Sequence, residues 1–356
     1  MQAILEDVRS GEVTSYEVPQ PELRAGGILV RTAFSAISAG TELAHREQVE
    51  KSLLGKALAR PDLVRQMFDF ARAAGVKAAY QLVQSRLDTL APLGYSCAGV
   101  VIAAGQGVQE FNPGDRVACA GAGYASHCEV NFVPKNLAAR IPDAVPLEAA
   151  CLTAIGAIAL QGFRQSQAVL GEVVAVIGAG LVGALTIQLA KAAGCRVIAI
   201  DLDRERVRRA QQCGADLALC ASDRDTLLRA QEFATSGADV AIITAASSSA
   251  EPIELAANIS RDRGRIVVVG TVDLGVSRKL MYMKELSLVL SRSYGPGRYD
   301  PQYEEDGLDY PIGHVRWTEK RNMQAFLGLL ASGAINVRPF TERRCPVEQG
   351  GSLTAN

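Results

Sequence analysis

Apolar and polar residues change rhythm several times along the chain, and each change predicts a different kind of element. Near the start, VTSYEV and GGILVRTAFSAI alternate or run apolar with β-branched residues. Pro19, Pro21 and Gly26–Gly27 break them, so strands and turns are expected. Residues 43–91 are instead dominated by Ala, Leu, Gln, Glu, Lys and Arg. Pro61 suits a first helical position, and Leu63, Met67, Phe70, Ala71 and Ala74 recur at helical spacing, as do Tyr80, Val83, Leu87 and Leu90. Two or three helices are predicted there. From Gly94 to Pro142 strand character returns in GVVIAAG and HCEVNFVP, around the turn NPGDRV. A helix is predicted near 147–164, followed by strict alternation: VVAVIG, a helix near 181–193, RVIAID, a helix near 204–213, LALC, a helix near 223–235, DVAIITA, a helix near 251–261, RIVVVG and LSLVLSRSYG. Apolar strands alternating with helices imply a parallel, doubly wound α/β sheet. After Tyr294 a turn-rich aromatic loop leads to a helix near 318–332.

Length and charge narrow the classes. A chain of 356 residues predicts two domains. With 37 Lys and Arg against 38 Asp and Glu, the net charge of −1 argues against nucleic acid or an anionic membrane as partner. No run of 18 apolar residues and no secretory signal is present, so a cytoplasmic protein is expected. Eight cysteines without a CxxC pair read as reduced thiols, and three histidines exclude a His-rich metal site.

The strongest motif lies in VVAVIGAGLVGALTIQLAKAAGCRVIAIDLD. Gly178, Gly180 and Gly183 form G-x-G-x-x-G directly after an apolar strand and before a helix. The first glycine permits a tight turn, the second the approach of a pyrophosphate, the third close helix packing. Leu181 and Val182 complete the loop, and the helix N-terminus attracts the phosphates. Asp201, 18 residues after Gly183, is placed to accept from ribose hydroxyls and to repel a 2′-phosphate. That favours NAD; Arg204 and Arg206 just behind keep NADP as the alternative. Thr244 and Gly270, at the ends of DVAIITA and RIVVVG, join the cofactor set.

On these motifs and on SAGTE (38–42), GYSCAGVV (94–101) and the order of the segments between, nearly the whole chain resembles the medium-chain dehydrogenase/reductase superfamily, which includes zinc-type alcohol dehydrogenases. The resemblance implies a GroES-like β-rich catalytic domain, residues 1–152 and 293–356 with a helical insertion at 43–91, plus a doubly wound Rossmann coenzyme domain, residues 153–292. A closer resemblance is to a zinc-free branch that carries such an insertion and a segment like Ser293–Glu319. That branch often precedes a second oxidoreductase domain, so a missing C-terminal domain or a homo-oligomer is the expected partner, beside a small-molecule substrate.

The departures from the zinc pattern carry the chemistry. At the family's ligand positions stand Ala39, Tyr95 with Ser96, and the stretch around Thr153, none of them a thiolate, imidazole or carboxylate. No zinc or other metal is expected, and carbonyl polarisation falls to hydrogen-bond donors. Thr41 matches the family's proton-relaying hydroxyl, and His45 follows as a relay to solvent. Tyr95 sets a phenol where the metal would stand, with Ser96 as a subsidiary candidate. Arg298, Tyr299, Tyr303, Arg316 and Trp317 are expected to bind a sugar, polyol or nucleotide-sugar, because Arg forks suit phosphate or carboxylate and aromatic faces suit a sugar. Alternatively those side chains only pack, and the arginines pair with Glu304, Glu305 or Asp306. Three activities follow: a zinc-independent NAD dehydrogenase, a zinc-free NADPH quinone or enoyl reductase, and a non-catalytic NAD-binding module of a larger protein.

Overall fold

The computed structural model describes residues 1–38, 72 and 90–352. Thr41, His45, Ala39 and most of the insertion at 43–91 lie outside the described residues.

The first half is antiparallel. Strands β1 (Gln2–Asp7), β2 (Val13–Glu17), β3 (Gly27–Ser35), β4 (Leu90–Pro92), β5 (Ser96–Ala104), β6 (Arg116–Ala120), β7 (Val130–Pro134) and β8 (Ala138–Arg140) form two sheets. Their orders are β2-β1-β4 and β7-β3-β5-β6-β8. The small residues Ala98, Ala118 and Ala139 let the five-stranded sheet bury one face against the helices that follow, while Ile28, Val30, Val117 and Val133 build a second core. Leu90, expected at the end of a helix, is instead in β4, where it pairs with Asp7.

The second half is a six-stranded parallel sheet. Its strands are β9 (Val173–Ile177), β10 (Arg196–Asp201), β11 (Leu217–Cys220), β12 (Ala238–Ile243), β13 (Ser260–Val268) and β14 (Ser287–Leu290), in the order β11-β10-β9-β12-β13-β14. Every residue of β9 is buried. Its alternate residues feed two cores: Val173, Ala175 and Ile177 join one cluster, Val174 and Val176 the other. Helices therefore cover both faces, and the strand order reverses beside β9, which opens a crevice at the carboxyl ends of β9 and β12.

The helices, numbered over the described residues, are α1 (Leu147–Ala150), α2 (Thr153–Ser166), α3 (Leu181–Ala192), α4 (Arg204–Gln212), α5 (Thr226–Phe233), α6 (Glu251–Ile259), α7 (Arg278–Met283), α8 (Pro301–Glu304) and α9 (Glu319–Ala331). The helix expected over 147–164 is broken at Cys151–Leu152, and α7 and α8 were not visible as periodic patterns because each is under two turns long. Thr318 caps α9, its hydroxyl accepting from the Arg321 amide, and Phe326 of α9 sits fully buried over Gly156 of α2. Chain segments from the C-terminal third meet the antiparallel half: Asn136 donates to the Tyr303 carbonyl at 2.8 Å, and Lys320 to the Lys135 carbonyl at 2.8 Å. No described helix is long and apolar enough to cross a membrane.

Candidate active site

At the end of β9 the chain turns sharply through Gly178, whose φ of +96° disfavours any side chain. A Cβ there would come within 2.5 Å of the Ala245 nitrogen. A Cβ on Gly183, in the first turn of α3, would stand 1.9 Å from the Gly178 carbonyl oxygen. These two glycines let helix and loop touch. Gly180 is different: a Cβ on it meets nothing within 4 Å, and it caps α3 with no side-chain hydrogen bond. Open space therefore faces an uncapped helix N-terminus, the arrangement that takes phosphate.

Asp201 closes one side of this loop. It is buried at the end of β10, where Oδ2 accepts from the Ala179 amide at 2.6 Å and Oδ1 from the Asp203 amide at 2.8 Å. Each oxygen keeps a further acceptor site. Thr244 donates its hydroxyl to the Gly178 carbonyl, and a Cβ on Gly270 would lie 2.0 Å from the Ala245 oxygen, so both hold the loop by packing. Leu181 and Val182 are half-buried against the core beneath α3. Arg206 sits 3.7 Å from Asp203 with both side chains half exposed, and Arg204 pairs with Asp223 at 2.5 Å. The loop fits a dinucleotide.

A small cavity of about 100 Å³ adjoins the start of α3, where it meets the end of β3 and the α1–α2 break. Phe34, Ser35, Ile37, Cys151, Leu181 and Arg344 are among its walls. The Ser35 hydroxyl is 2.8 Å from Nδ1 of the buried His127, whose ring packs against Gly94. Tyr95 follows and packs half-buried on the same core as Phe34, Leu181 and Phe340; its hydroxyl has no hydrogen-bond partner among the described residues. Ser96 requires a correction. It is fully buried, donates to the Cys151 carbonyl at 2.6 Å and accepts from the Ala154 amide at 3.2 Å. Its hydroxyl bridges the backbone groups freed by the α1–α2 break and has no room for a substrate.

The Ser35–His127 pair was missed, because 92 residues separate them and no local motif joins them. The rarity of histidine in the chain was the available signal. Cys151 is no nucleophile: burial, then Cys97 and Glu148, push its thiol up to about 12. The zinc-ligand positions offer no ligand set. Thr153 donates to the Ala150 carbonyl at 2.6 Å, and Cys97 and Cys119 face each other across β5 and β6. Their mutual hydrogen bond and burial hold the Cys119 thiol protonated. Among the described residues no group of three or more His, Cys, Asp or Glu can hold a metal.

The segment 293–319 corrects another expectation. Arg298 and Glu304 form an ion pair at 2.6 Å, with side chains only 15% and 9% exposed. Tyr299 stacks on Arg298, the guanidinium carbon 4.0 Å from the ring centre, and Tyr303 is buried and stacked on Tyr310 at 5.3 Å. The neighbouring Glu319 is fully buried; desolvation first, then the charge of Glu304, raises its carboxyl to about 9. Arg298, Tyr299 and Tyr303 are thus each engaged by a neighbouring side chain of the segment. Arg316 and Trp317 lie against α2, with Arg164 and Arg316 at 3.3 and 3.8 Å from the Trp317 ring centre. None of these five substrate candidates lines the cleft beside Ser35 and Leu181.

Comparison with known proteins agrees with this architecture. Residues 182–305 match the family model of the zinc-binding dehydrogenases. An uncharacterized zinc-type alcohol dehydrogenase-like protein of Escherichia coli (strain K12), YdjJ, is 29% identical over 210 residues, 51% of this chain; the match spans only 60% of that relative. Galactitol 1-phosphate 5-dehydrogenase of the same strain is 25% identical over 68% of this chain and 73% of its own length. The structure of Escherichia coli quinone oxidoreductase complexed with NADPH superimposes with a TM-score of 0.72 at 18% identity, covering 100% of this chain and 95% of that one.

Proposed function

We propose that the chain, similar in sequence and fold to the zinc-type alcohol dehydrogenase-like proteins of the medium-chain dehydrogenase/reductase superfamily, is a zinc-independent, NAD-dependent oxidoreductase acting on an alcohol or carbonyl group of a sugar, polyol or nucleotide-sugar. The observation that carries the reading is the glycine loop: open space at Gly180, an uncapped α3 and the Asp201 carboxylate meet at the carboxyl ends of β9 and β10. A bound dinucleotide would supply or accept the hydride. The backbone amides at the start of α3 hold its pyrophosphate, and Asp201 accepts from the adenosine ribose. A 2′-phosphate would set its negative charge against a buried carboxylate, which selects NAD.

With no zinc ligands at Ala39, Tyr95 or Thr153, the Tyr95 hydroxyl, unpartnered among the described residues, polarises the substrate oxygen. Thr41 and His45 form the proton path, and the Ser35–His127 pair is a second donor set. Residues 1–152 and 293–356 make up the catalytic domain and 153–292 the coenzyme domain. The polyol-phosphate relative supports a polyhydroxylated substrate, and the reduced thiols suit a cytoplasmic setting.

Binding of NADH and NADPH to the wild type and to Asp201→Asn tests the cofactor assignment. NADH should bind about tenfold tighter to the wild type, a difference of about 1.4 kcal/mol, and the variant should lose most of that preference. Tighter NADPH binding would overturn it in favour of a quinone or enoyl reductase, the activity class of the NADPH-bound structural relative. Tyr95→Phe should lower turnover about 100-fold on a polyol panel at unchanged thermal stability. Unaltered turnover removes Tyr95 from the site.

A further inference from the structure

A groove of about 450 Å³ lies at the far end of α3 from the glycine loop. It runs between the last turns of α2 and α3 and the side of α9, with Phe163, Leu189, Ala192 and Leu329 as apolar walls and Arg164 and Trp317 beside them. Because α3 has 12 residues, this groove is about 18 Å from the dinucleotide loop at a rise of about 1.5 Å per residue. It stands at the amino ends of the parallel strands, the opposite edge of the sheet from the crevice.

The charges at this groove are unbalanced. The guanidinium carbons of Arg164 and Arg316 lie 3.3 and 3.8 Å from the centre of the Trp317 ring. Arg164 Nε donates to the Asn322 side-chain oxygen at 2.9 Å, which fixes the guanidinium plane. No carboxylate pairs with either arginine among the described residues, whereas nearby Arg298 pairs with Glu304 and Arg321 with Asp309. Two cations that hold one indole between them repel each other. Burial first and the charge of Arg316 second pull the Arg164 guanidinium down to about 10. An anion at this place would relieve both the repulsion and the desolvation, while the apolar walls exclude a small, strongly hydrated ion as the best occupant.

We propose that this groove is a second ligand site, for a small amphipathic carboxylate whose head lies against Arg164 and whose aliphatic or aromatic body fills the apolar groove beside Trp317. The site is independent of the dinucleotide crevice, and it gives Trp317 a binding role other than the substrate role expected from sequence. Trp317 is the one tryptophan of the chain, so its emission reports this groove directly.

The test titrates the full-length protein with octanoate and with 3-phenylpropionate, using octan-1-ol and octylammonium as controls, and follows tryptophan emission. At least one carboxylate should produce a saturable change, and the neutral and cationic analogues should bind tenfold weaker or worse. Arg164→Gln should weaken the carboxylate tenfold or more, because Arg164 is the cation that lines the groove and pairs with no carboxylate among the described residues. Circular dichroism checks that the variant keeps its fold. NADH binding, measured calorimetrically, should be the same with and without the carboxylate. The proposal fails if neither carboxylate gives a saturable change, if octylammonium binds as well as octanoate, or if the carboxylate competes with NADH. Loss of NADH binding altogether would overturn the dinucleotide reading and leave this result standing.

Discussion

The glycine loop at 178–183 and the aromatic segment at 293–319 both carry the composition of a ligand site, and the folded chain treats them oppositely. In the loop, two glycines are filled by their neighbours, while Gly180 leaves space in front of a helix end that nothing caps. In the segment, each binding-type side chain is met by another: Arg298 by Glu304 and Tyr299, Tyr303 by Tyr310, Tyr310 by Asp300. A backbone site cannot satisfy itself, because the amides of a first helical turn have no intrahelical acceptor. A side-chain site can, because arginine finds carboxylates in the same twenty residues. The first kind of site is left for a ligand, and the second becomes structure.

The largest effect that tests this contrast is on Arg298. Removing one member of a buried ion pair leaves the other charged and desolvated. Arg298→Met should therefore destabilise the fold by about 3–5 kcal/mol, seen as a lower urea midpoint. The KM of the folded fraction should be unchanged. A variant as stable as the wild type but with a raised KM would make the segment a substrate site after all and break the comparison.

The glycine loop gives the next largest effect, and a pair of variants separates its two kinds of glycine. Gly180→Val adds a side chain where only solvent stands, so stability should hold within about 1 kcal/mol. NADH binding should weaken about 100-fold, or about 2.7 kcal/mol, because the side chain fills the phosphate approach. Gly183→Ala should do the reverse in emphasis. Its methyl group would overlap the Gly178 carbonyl, so α3 must move off β9 at a cost of about 1–3 kcal/mol. Equal stability loss in both variants would mean that Gly180 is a packing glycine and the loop no cradle.

The same contrast explains what was legible beforehand. The parallel sheet could be read because β9 and β12 are buried on both faces and therefore run continuously apolar. The place of Asp201 beside the glycine loop could be read because its spacing from the glycines is set by one helix and one strand. Ser35 and His127 were invisible, since β3 and the residues before β7 meet only through tertiary pairing. Ser96 was misjudged for a related reason. Its partners, the Cys151 carbonyl and the Ala154 amide, exist only because the helix expected over 147–164 breaks, and no residue pattern announces that break. The pairing of Arg298 with Glu304 was one of two readings open from sequence, and burial decided between them.

The smallest effect per step sharpens the comparison through pH. Glu319 is enclosed with Glu304, Arg298, Arg292, Tyr294 and Tyr303 around it, and neither of its carboxyl oxygens has a hydrogen-bond partner. Desolvation raises its folded-state value to about 9, against 4.5 for an unburied carboxyl. The folded protein then keeps a proton that the unfolded chain has released. The contribution to stability is fully present below about pH 4.5 and is lost as pH rises toward about 9. Within that window the loss is at most about 1.4 kcal/mol per pH unit. Glu319→Gln mimics the neutral acid and removes the slope, so its advantage over the wild type in urea unfolding should grow steadily from pH 5.5 to pH 8.5. A constant difference across that range would mean that Glu319 is ionised in the folded protein. It would then need a cationic partner, Arg298 or Arg292, and the segment would hold a charge network in place of a pair and a neutral acid.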